Sequence, residues 1–166
     1  MPEVLQFDTP LGSMLAVGSQ RALHGLYFVG QRHLPDLSGC ATDCSFLVLH
    51  RARRQVSEYF EQRRQQFDLP LEHSGTALQQ SVWAALGEIA YGQTVSYTQL
   101  ALRVGRPKAV RAVAQAVGRN PWIILRPCHR VLGASGSLTG FAAGLERKSA
   151  LLALESRCVR QPAQSR

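Results

Sequence analysis

Cys128, His129 and Arg130 stand in succession, and His129 is the only histidine after His73 in a chain that holds four cysteines and five histidines. A thiol reacts as its thiolate, and an ordinary cysteine is only a few per cent ionised near neutral pH. A basic neighbourhood favours the thiolate, and an imidazole can accept the proton, so His129 and Arg130 supply both ingredients of a nucleophilic site. Adjacent side chains on a regular strand point to opposite faces. Proton transfer between Cys128 and His129 therefore requires a local bend or a bridging water, and Pro127 favours an irregular backbone at this point. The competing reading, a buried structural thiol, stays open on the dipeptide alone. The other cysteines carry less. Cys40 and Cys44 could form half of a zinc site with His33 or His50, but no second pair follows at finger-like spacing, so no metal is expected. Nothing resembles the framework of a disulfide-stapled secreted domain.

The elements around this site must place it against something, and the charge says what. Residues 1–75 carry seven Arg/Lys against eight Asp/Glu, whereas residues 76–166 carry twelve against three, a net of +9 in the second part. With Glu88, Glu146 and Glu155 as its only acids, that part cannot balance its charge locally. A polyanion is the expected partner, nucleic acid before membrane. No apolar run approaches the roughly eighteen residues of a membrane span, and the start Met1-Pro2-Glu3-Val4-Leu5 lacks the features of a secretory signal. A cytoplasmic location is the corresponding expectation.

Alternation and turn residues predict strands over 3–8, 13–17 and 23–29, with turns at Thr9-Pro10-Leu11-Gly12 and Gly18-Ser19-Gln20-Arg21. A loop over 31–43 precedes a helix expected from Ser45 to about Gln65. Residues 67–71 read as an edge strand, because Pro70 bars a central one. Glu72-His73-Ser74-Gly75 reads as a linker, which divides the chain into an α/β part over 1–75 and a second part over 76–166. In the second part a helix is expected over 76–89. A short helix capped by Ser96 follows, then the turn Gly105-Arg106-Pro107 and a second, alanine-rich helix from Lys108 to Val117, ended by Gly118. Two short helices around a glycine-bearing turn make a helix-turn-helix, and Arg106, Lys108 and Arg111 point to a nucleic-acid groove as its target. Trp122 to Leu125 reads as extended, residues 133–140 as a loop, 145–156 as a last helix and 157–166 as a frayed tail.

Pro127-Cys128-His129-Arg130-Val131 resembles the active-site signature of the O6-alkylguanine-DNA alkyltransferase family, also called methylated-DNA–protein-cysteine methyltransferases. Tyr91-Gly92, Ser96-Tyr97, Arg111-Ala112-Val113 and Gly118-Arg119-Asn120-Pro121 are similar to the family upstream. Downstream, Gly133-Ala134-Ser135-Gly136, Leu138-Thr139-Gly140-Phe141 and Leu151-Leu152-Ala153-Leu154-Glu155 follow at matching spacing. The resemblance spans residues 76–156. It implies an α/β (α+β) fold, with a small RNase H-like N-terminal domain followed by a winged-helix-like, mainly helical C-terminal domain that binds DNA and carries the active site.

The activity implied is the irreversible transfer of an alkyl group from O6-alkylguanine in double-stranded DNA to Cys128, one group per chain, with the base flipped out of the helix. His129 is the implied base, acting through a water, and Glu155 its orienter, although a lone acid at a helix end is by itself more often solvated. Asn120 is the implied hinge residue and Tyr97 the implied donor to the leaving base. Arg111 is the implied finger that enters the stack, and Ala109, Ala112, Gln115, Arg119 and Arg130, with Tyr97, the implied DNA contacts. Tyr97, Val131, Ser135, Phe141 and Ala142 are the implied pocket. No cofactor or metal is expected, and the protein is expected to be a monomer in solution. O4-alkylthymine as a second substrate and cooperative binding on DNA are left open. Trp83 and Trp122 have no implied role and read as packing residues.

Four positions depart from the family pattern: Ala90 where proline is usual, Arg126 at a position normally apolar, Phe141 for tyrosine, and Ala143 for a pocket glycine. The methyl of Ala143 is expected to narrow the pocket, and Arg126 to bear on the ionisation of the nucleophile or the range of lesions. Competing functions are a non-catalytic lesion sensor on the same domain, a thiol hydrolase that needs no DNA, and a helix-turn-helix regulator with strong sequence preference.

Overall fold

A computed structural model describes residues 1–160, the last two as backbone only; the expected tail beyond them, 161–166, lies outside the described residues. The chain forms two compact units, one of residues 1–74 with 121–125, the other of 75–120 with the chain from Arg126 onward. Its class is mixed α/β, a small antiparallel sheet together with helices.

In the first unit β1 (Glu3–Thr9), β2 (Gly12–Gly18) and β3 (Leu23–Phe28) form an antiparallel meander, with Thr9 opposite Gly12 at the first turn. Gly12 has φ +122°, a conformation that glycine adopts without a Cβ penalty, and the Thr9 hydroxyl closes the turn by donating to the Gly12 carbonyl at 2.6 Å. Met14 and Ala16 on β2 and Leu26 and Phe28 on β3 are fully buried. Helix α1 (Leu47–Phe60) buries the stripe Val48, Leu49, Ala52, Val56 and Tyr59. Its first N–H groups have no partners within the helix, and the distant Glu3 carboxylate accepts from the amides of Ser45 (2.8 Å) and Phe46 (3.1 Å).

Three expectations for this unit are corrected. α1 stops at Phe60 rather than Gln65, where Gln62 enters the left-handed region at φ +62°. Residues 67–71 do not form an edge strand; Leu71 makes one isolated parallel bridge with Leu23, whose amide donates to the Pro70 carbonyl. Trp122 to Leu125 is likewise not extended beyond one bridge, Trp122 with Leu26, because Ile124 turns the backbone at φ +74°. Trp122 is anchored by its indole N–H, which donates to the Leu23 carbonyl at 3.0 Å.

In the second unit α2 (Ala77–Leu86) and α3 (Tyr97–Arg103) each begin with a full capping box, Thr76 with Gln79 and Ser96 with Gln99. Gly105, at φ +74°, turns the chain into α4 (Val110–Gly118). This helix starts two residues later than expected, since Pro107 and Lys108 belong to the turn. α4 packs on α2 and α3, burying Val113, Ala116 and Val117, and the Trp83 indole of α2 donates to the Ala116 carbonyl at 2.9 Å. Two short parallel strands, β4 (Val95–Ser96) and β5 (Val131–Leu132), tie the start of α3 to the segment that follows Cys128. The last helix, α5 (Leu145–Arg160), runs four residues past its expected end at Ser156.

Candidate active site

Cys128, His129 and Arg130 form a single 3₁₀ turn entered from Pro127. At three residues per turn, neighbouring side chains fan out around the axis instead of alternating across a strand. The Arg126 carbonyl fixes the entry to this turn, accepting from the Cys128 amide at 2.7 Å and from Asn120 Nδ2, also at 2.7 Å. Asn120 thus links the end of α4 to the approach to Cys128. The Cys128 thiol, His129, Arg130, Asn120 and Glu155 are all buried.

Glu155 on α5 is the hub. Its Oε2 lies 2.6 Å from His129 Nε2, and the same carboxylate accepts from Arg130 Nε (2.8 Å) and Nη2 (3.0 Å). Arg130 Nη1 donates to the Ile89 carbonyl at 2.6 Å, the Gly92 amide donates to Glu155 Oε1 at 3.3 Å, and the guanidinium sits 5.5 Å from the centre of the Tyr91 ring. This geometry settles the state of the imidazole. A carboxylate only accepts, so Nε2 carries the proton it donates, and in the neutral ring Nδ1 is left as a base. Nδ1 is buried with no hydrogen-bond partner among the described residues.

The protonation states follow. Burial alone would raise the Glu155 pKa, but the bonds and charges of His129 and Arg130 outweigh it and bring it to about 2. Burial lowers the pKa of His129 despite the opposing pull of Glu155, which keeps the ring neutral and able to accept a proton. Burial pushes the Cys128 thiol up to about 11; the Asn120 side chain, the Lys148 charge and the local backbone amides act against it. Burial also raises the Tyr97 hydroxyl and lowers Lys148 to about 8.

These shifts set a pH dependence of stability. The folded pKa of Glu155 lies below its ordinary 4.5, so its contribution is complete above pH 4.5 and lost as pH falls towards 2, about 3 kcal/mol in all. The lowered His129 acts in the same direction from pH 6.5 downward, because the unfolded chain takes up the proton more readily. Thermal unfolding in buffers from pH 7 to pH 3 should show a midpoint that declines below 6.5 and falls most steeply below 4.5. A midpoint level across that range would contradict the charge states assigned here.

The remaining residues singled out from the sequence are distributed as follows. Arg111, Gln115 and Arg119 are exposed at four-residue intervals along α4, and Ala109 and Ala112 are half-buried. Arg106 and Lys108 are exposed in the turn before them. Tyr97 is half-buried at the start of α3, and β4–β5 pairing sets Val95 and Ser96, just before it, beside Val131 and Leu132. Phe141 and Ala142 are half-buried, Ala143 is buried, and Ser135 is exposed in a turn at φ +62°.

Arg130 is a correction: expected among the DNA contacts, it is buried with its guanidinium committed to Glu155 and Ile89. The Arg126 guanidinium fills the space where a Cβ on Gly87 would lie, at the end of α2. Lys148 went unnoticed in the sequence. It is fully buried, and its Nζ donates to the carbonyls of Thr139 (2.7 Å) and Gly140 (3.3 Å). Two signals could have found it: Lys148 is one of two lysines among nineteen basic residues, and it precedes Glu155 by seven residues, two helical turns, on the same face.

A buried Cys128 next to the His129–Glu155 pair, on the same unit as a helix-turn-helix, defines a class, that of helix-turn-helix proteins with a buried thiol beside a histidine–carboxylate pair. The model of the 6-O-methylguanine DNA methyltransferase DNA-binding domain matches residues 77–157. The methylated-DNA–protein-cysteine methyltransferase of Methanosarcina acetivorans is 42% identical over 153 residues, 92% of this chain and 97% of that protein. The inducible methylated-DNA–protein-cysteine methyltransferase of Bacillus subtilis is 50% identical over 145 residues, 81% of each. Among solved structures, the O6-methylguanine methyltransferase of Mycobacterium tuberculosis superposes with a TM-score of 0.89 at 40% identity, covering 99% of this chain and 97% of that one. Mycobacterium tuberculosis OGT in complex with DNA gives 0.88 at 39% identity, covering 94% of both chains. The chain belongs to the methylated-DNA–protein-cysteine methyltransferase family.

Proposed function

We propose that this protein repairs DNA by direct reversal, as a methylated-DNA–[protein]-cysteine S-methyltransferase that moves the alkyl group of O6-alkylguanine onto its own Cys128. The observation that carries the assignment of roles is the His129 ring, whose Nε2–H is committed to Glu155 while Nδ1 is left as a buried base one residue from the thiol. The Cys128 proton passes through a bridging water to Nδ1, and Glu155 stabilises the imidazolium that forms. The sulfur attacks the alkyl carbon in line. The S–C bond forms as the C–O6 bond breaks, and its electron pair leaves with the guanine, which takes a proton from the Tyr97 hydroxyl. His129 gives up its proton and Tyr97 regains one, so the net change is thiol plus alkylated base to thioether plus guanine. A thioether has no easy hydrolytic route back to the thiol, and one chain therefore repairs one base.

Double-stranded DNA is the partner. The exposed row Arg111, Gln115 and Arg119, with Ala109 and Ala112 allowing close approach, lies against the minor groove, a mode suited to lesions in any flanking sequence. Arg111 takes the place of the extruded guanine, which offsets a flipping cost of roughly a few kcal/mol. Tyr97, Val131, Ser135, Phe141 and Ala142 line the pocket for the flipped base.

The deciding experiment measures intact-protein mass after mixing the chain with duplex DNA that carries one O6-methylguanine, with Cys128→Ser in parallel. A gain of one methylene per chain, localised to Cys128 and absent from the variant, is expected. Unchanged mass despite tight binding would support a lesion sensor in its place. The pocket adds a second expectation. The buried Ala143 should slow transfer from benzyl-sized adducts relative to methyl, and Ala143→Gly should speed benzyl transfer selectively. Equal single-turnover rates for the two adducts in the native chain would rule out this role for Ala143.

A further inference from the structure

The Arg130–Glu155 pair is gripped from outside by one short stretch of the connection between α2 and β4. Ile89 supplies the carbonyl that accepts from Arg130 Nη1 at 2.6 Å, and Gly92 the amide that donates to Glu155 Oε1 at 3.3 Å. Tyr91 stands between these two contacts. It is half-buried, and its ring centre lies 5.5 Å from the Arg130 guanidinium carbon. Its hydroxyl meets the thiol of Cys158, three residues after Glu155 on α5. Arg130 and Glu155 themselves are only 5% and 1% exposed, which makes the Tyr91 ring the outer layer over a dry ion pair. A guanidinium is attracted to the face of an aromatic ring, and a charge pair is strong and well oriented only while water is kept from it.

We propose that Tyr91 is a positioning residue for His129: its ring covers the Arg130 guanidinium, keeps water from the Arg130–Glu155 pair, and so holds the carboxylate in the orientation that fixes the imidazole as a base. The proposal rests on the reading of His129 as the base. The path from Tyr91 to the ring is short. Arg130 engages both carboxylate oxygens, through Nε at 2.8 Å and Nη2 at 3.0 Å, and the second of these oxygens also receives His129 Nε2 at 2.6 Å. The charged groups facing His129 are Glu155 and Lys148 from α5 and Arg130 from its own turn, and those facing Tyr91 are Arg130, Glu155 and Cys158. Removing the ring lets water reach the pair and loosens its hold on the imidazole. Burial is what lowers the His129 pKa, so wetting returns it towards the ordinary 6.5. Below that pH the base is protonated before the thiol can use it, and transfer acquires an acid limb close to neutrality.

The test separates covering from packing. Tyr91→Ala removes the ring, whereas Tyr91→Phe keeps it and loses only the hydroxyl. The His129 ring is titrated by nitrogen NMR in the native chain and in both variants, its signal assigned by comparison with His129→Gln. Single-turnover methyl transfer at saturating O6-methylguanine duplex is followed from about pH 5.5 to about pH 8, on either side of the ordinary histidine pKa. Thermal unfolding verifies each fold, and Tyr91→Leu, which fills the space but leaves the guanidinium face bare, replaces Tyr91→Ala if that variant does not fold. Tyr91→Ala should raise the ring's titration midpoint by at least about one pH unit. The ratio of its transfer rate at the acid end to that at the alkaline end should drop at least about fivefold below the native ratio. Tyr91→Phe should follow the native chain in both. A ring-less variant of lowered stability with an unshifted midpoint and pH profile would make Tyr91 a packing residue and overturn the proposal. So would Tyr91→Phe titrating like Tyr91→Ala, since the hydroxyl rather than the ring would then hold the network. Absence of transfer in the native chain would overturn the enzymatic reading instead, and the ring titration would still report on Tyr91.

Discussion

Glu155→Gln should cut methyl transfer at least about a thousandfold, an effect on the scale seen when the carboxylate that orients a catalytic histidine is made neutral. It should also lower the stability of the fold by about 3 to 5 kcal/mol, the usual cost of removing one partner from a buried ion pair. Both effects follow from the same carboxylate. Its Oε2 receives His129 Nε2 at 2.6 Å, and its two oxygens receive Arg130 at 2.8 and 3.0 Å. An amide in its place keeps one accepting oxygen but loses the charge. The Arg130 guanidinium is then buried without a counter-ion. Should the amide turn its N–H₂ towards the ring, Nε2 must become the acceptor, and Nδ1 takes the proton and can no longer serve as the base. Stopped single-turnover assays and denaturant unfolding measure the two effects separately. Transfer within tenfold of the native rate would show that the imidazole does not need Glu155 to fix its tautomer. Full stability would show that Arg130 finds another partner.

The second large effect is expected at Asn120. Its Nδ2 donates to the Arg126 carbonyl at 2.7 Å, and its side chain also bonds the Cys128 thiol. Asn120→Ala removes both. The cost in stability should be about 1 to 3 kcal/mol, since buried groups lose a partner. Transfer should fall at least about a hundredfold, because a shift of the reacting atom by an ångström is enough for that. Binding of undamaged duplex should change little, as Arg111, Gln115 and Arg119 lie on the exposed side of α4, away from the Asn120 side chain. A variant that loses DNA binding in proportion to its transfer rate would mean that Asn120 supports α4 rather than the nucleophile.

Much of this architecture was legible in the amino-acid sequence, since it depends on short-range rules. The alternation in β1–β3, the capping residues Thr76 and Ser96, and the turn at Gly105 all act within a few residues of themselves. The excess of basic residues after residue 75 needs no structure to be counted, and the signature around Cys128 is contiguous.

What only the tertiary structure decided concerns partners far apart in the chain. Nothing local tells Glu155 to be buried; it becomes so because α5 meets the 3₁₀ turn, twenty-six residues earlier at His129. For the same reason Arg130 turns inward to Glu155 rather than outward to DNA, Lys148 is sealed beneath Thr139 and Gly140, and burial rather than basic neighbours dominates the Cys128 thiol. Residues 67–71 and 122–125 failed to become strands because each forms only one bridge to the sheet, and strand propensity without a run of backbone partners does not make a strand. Residue types and their spacing determined which chemistry the chain could perform, while desolvation and long-range pairing, set only by the packed fold, determined the charge each group carries when performing it.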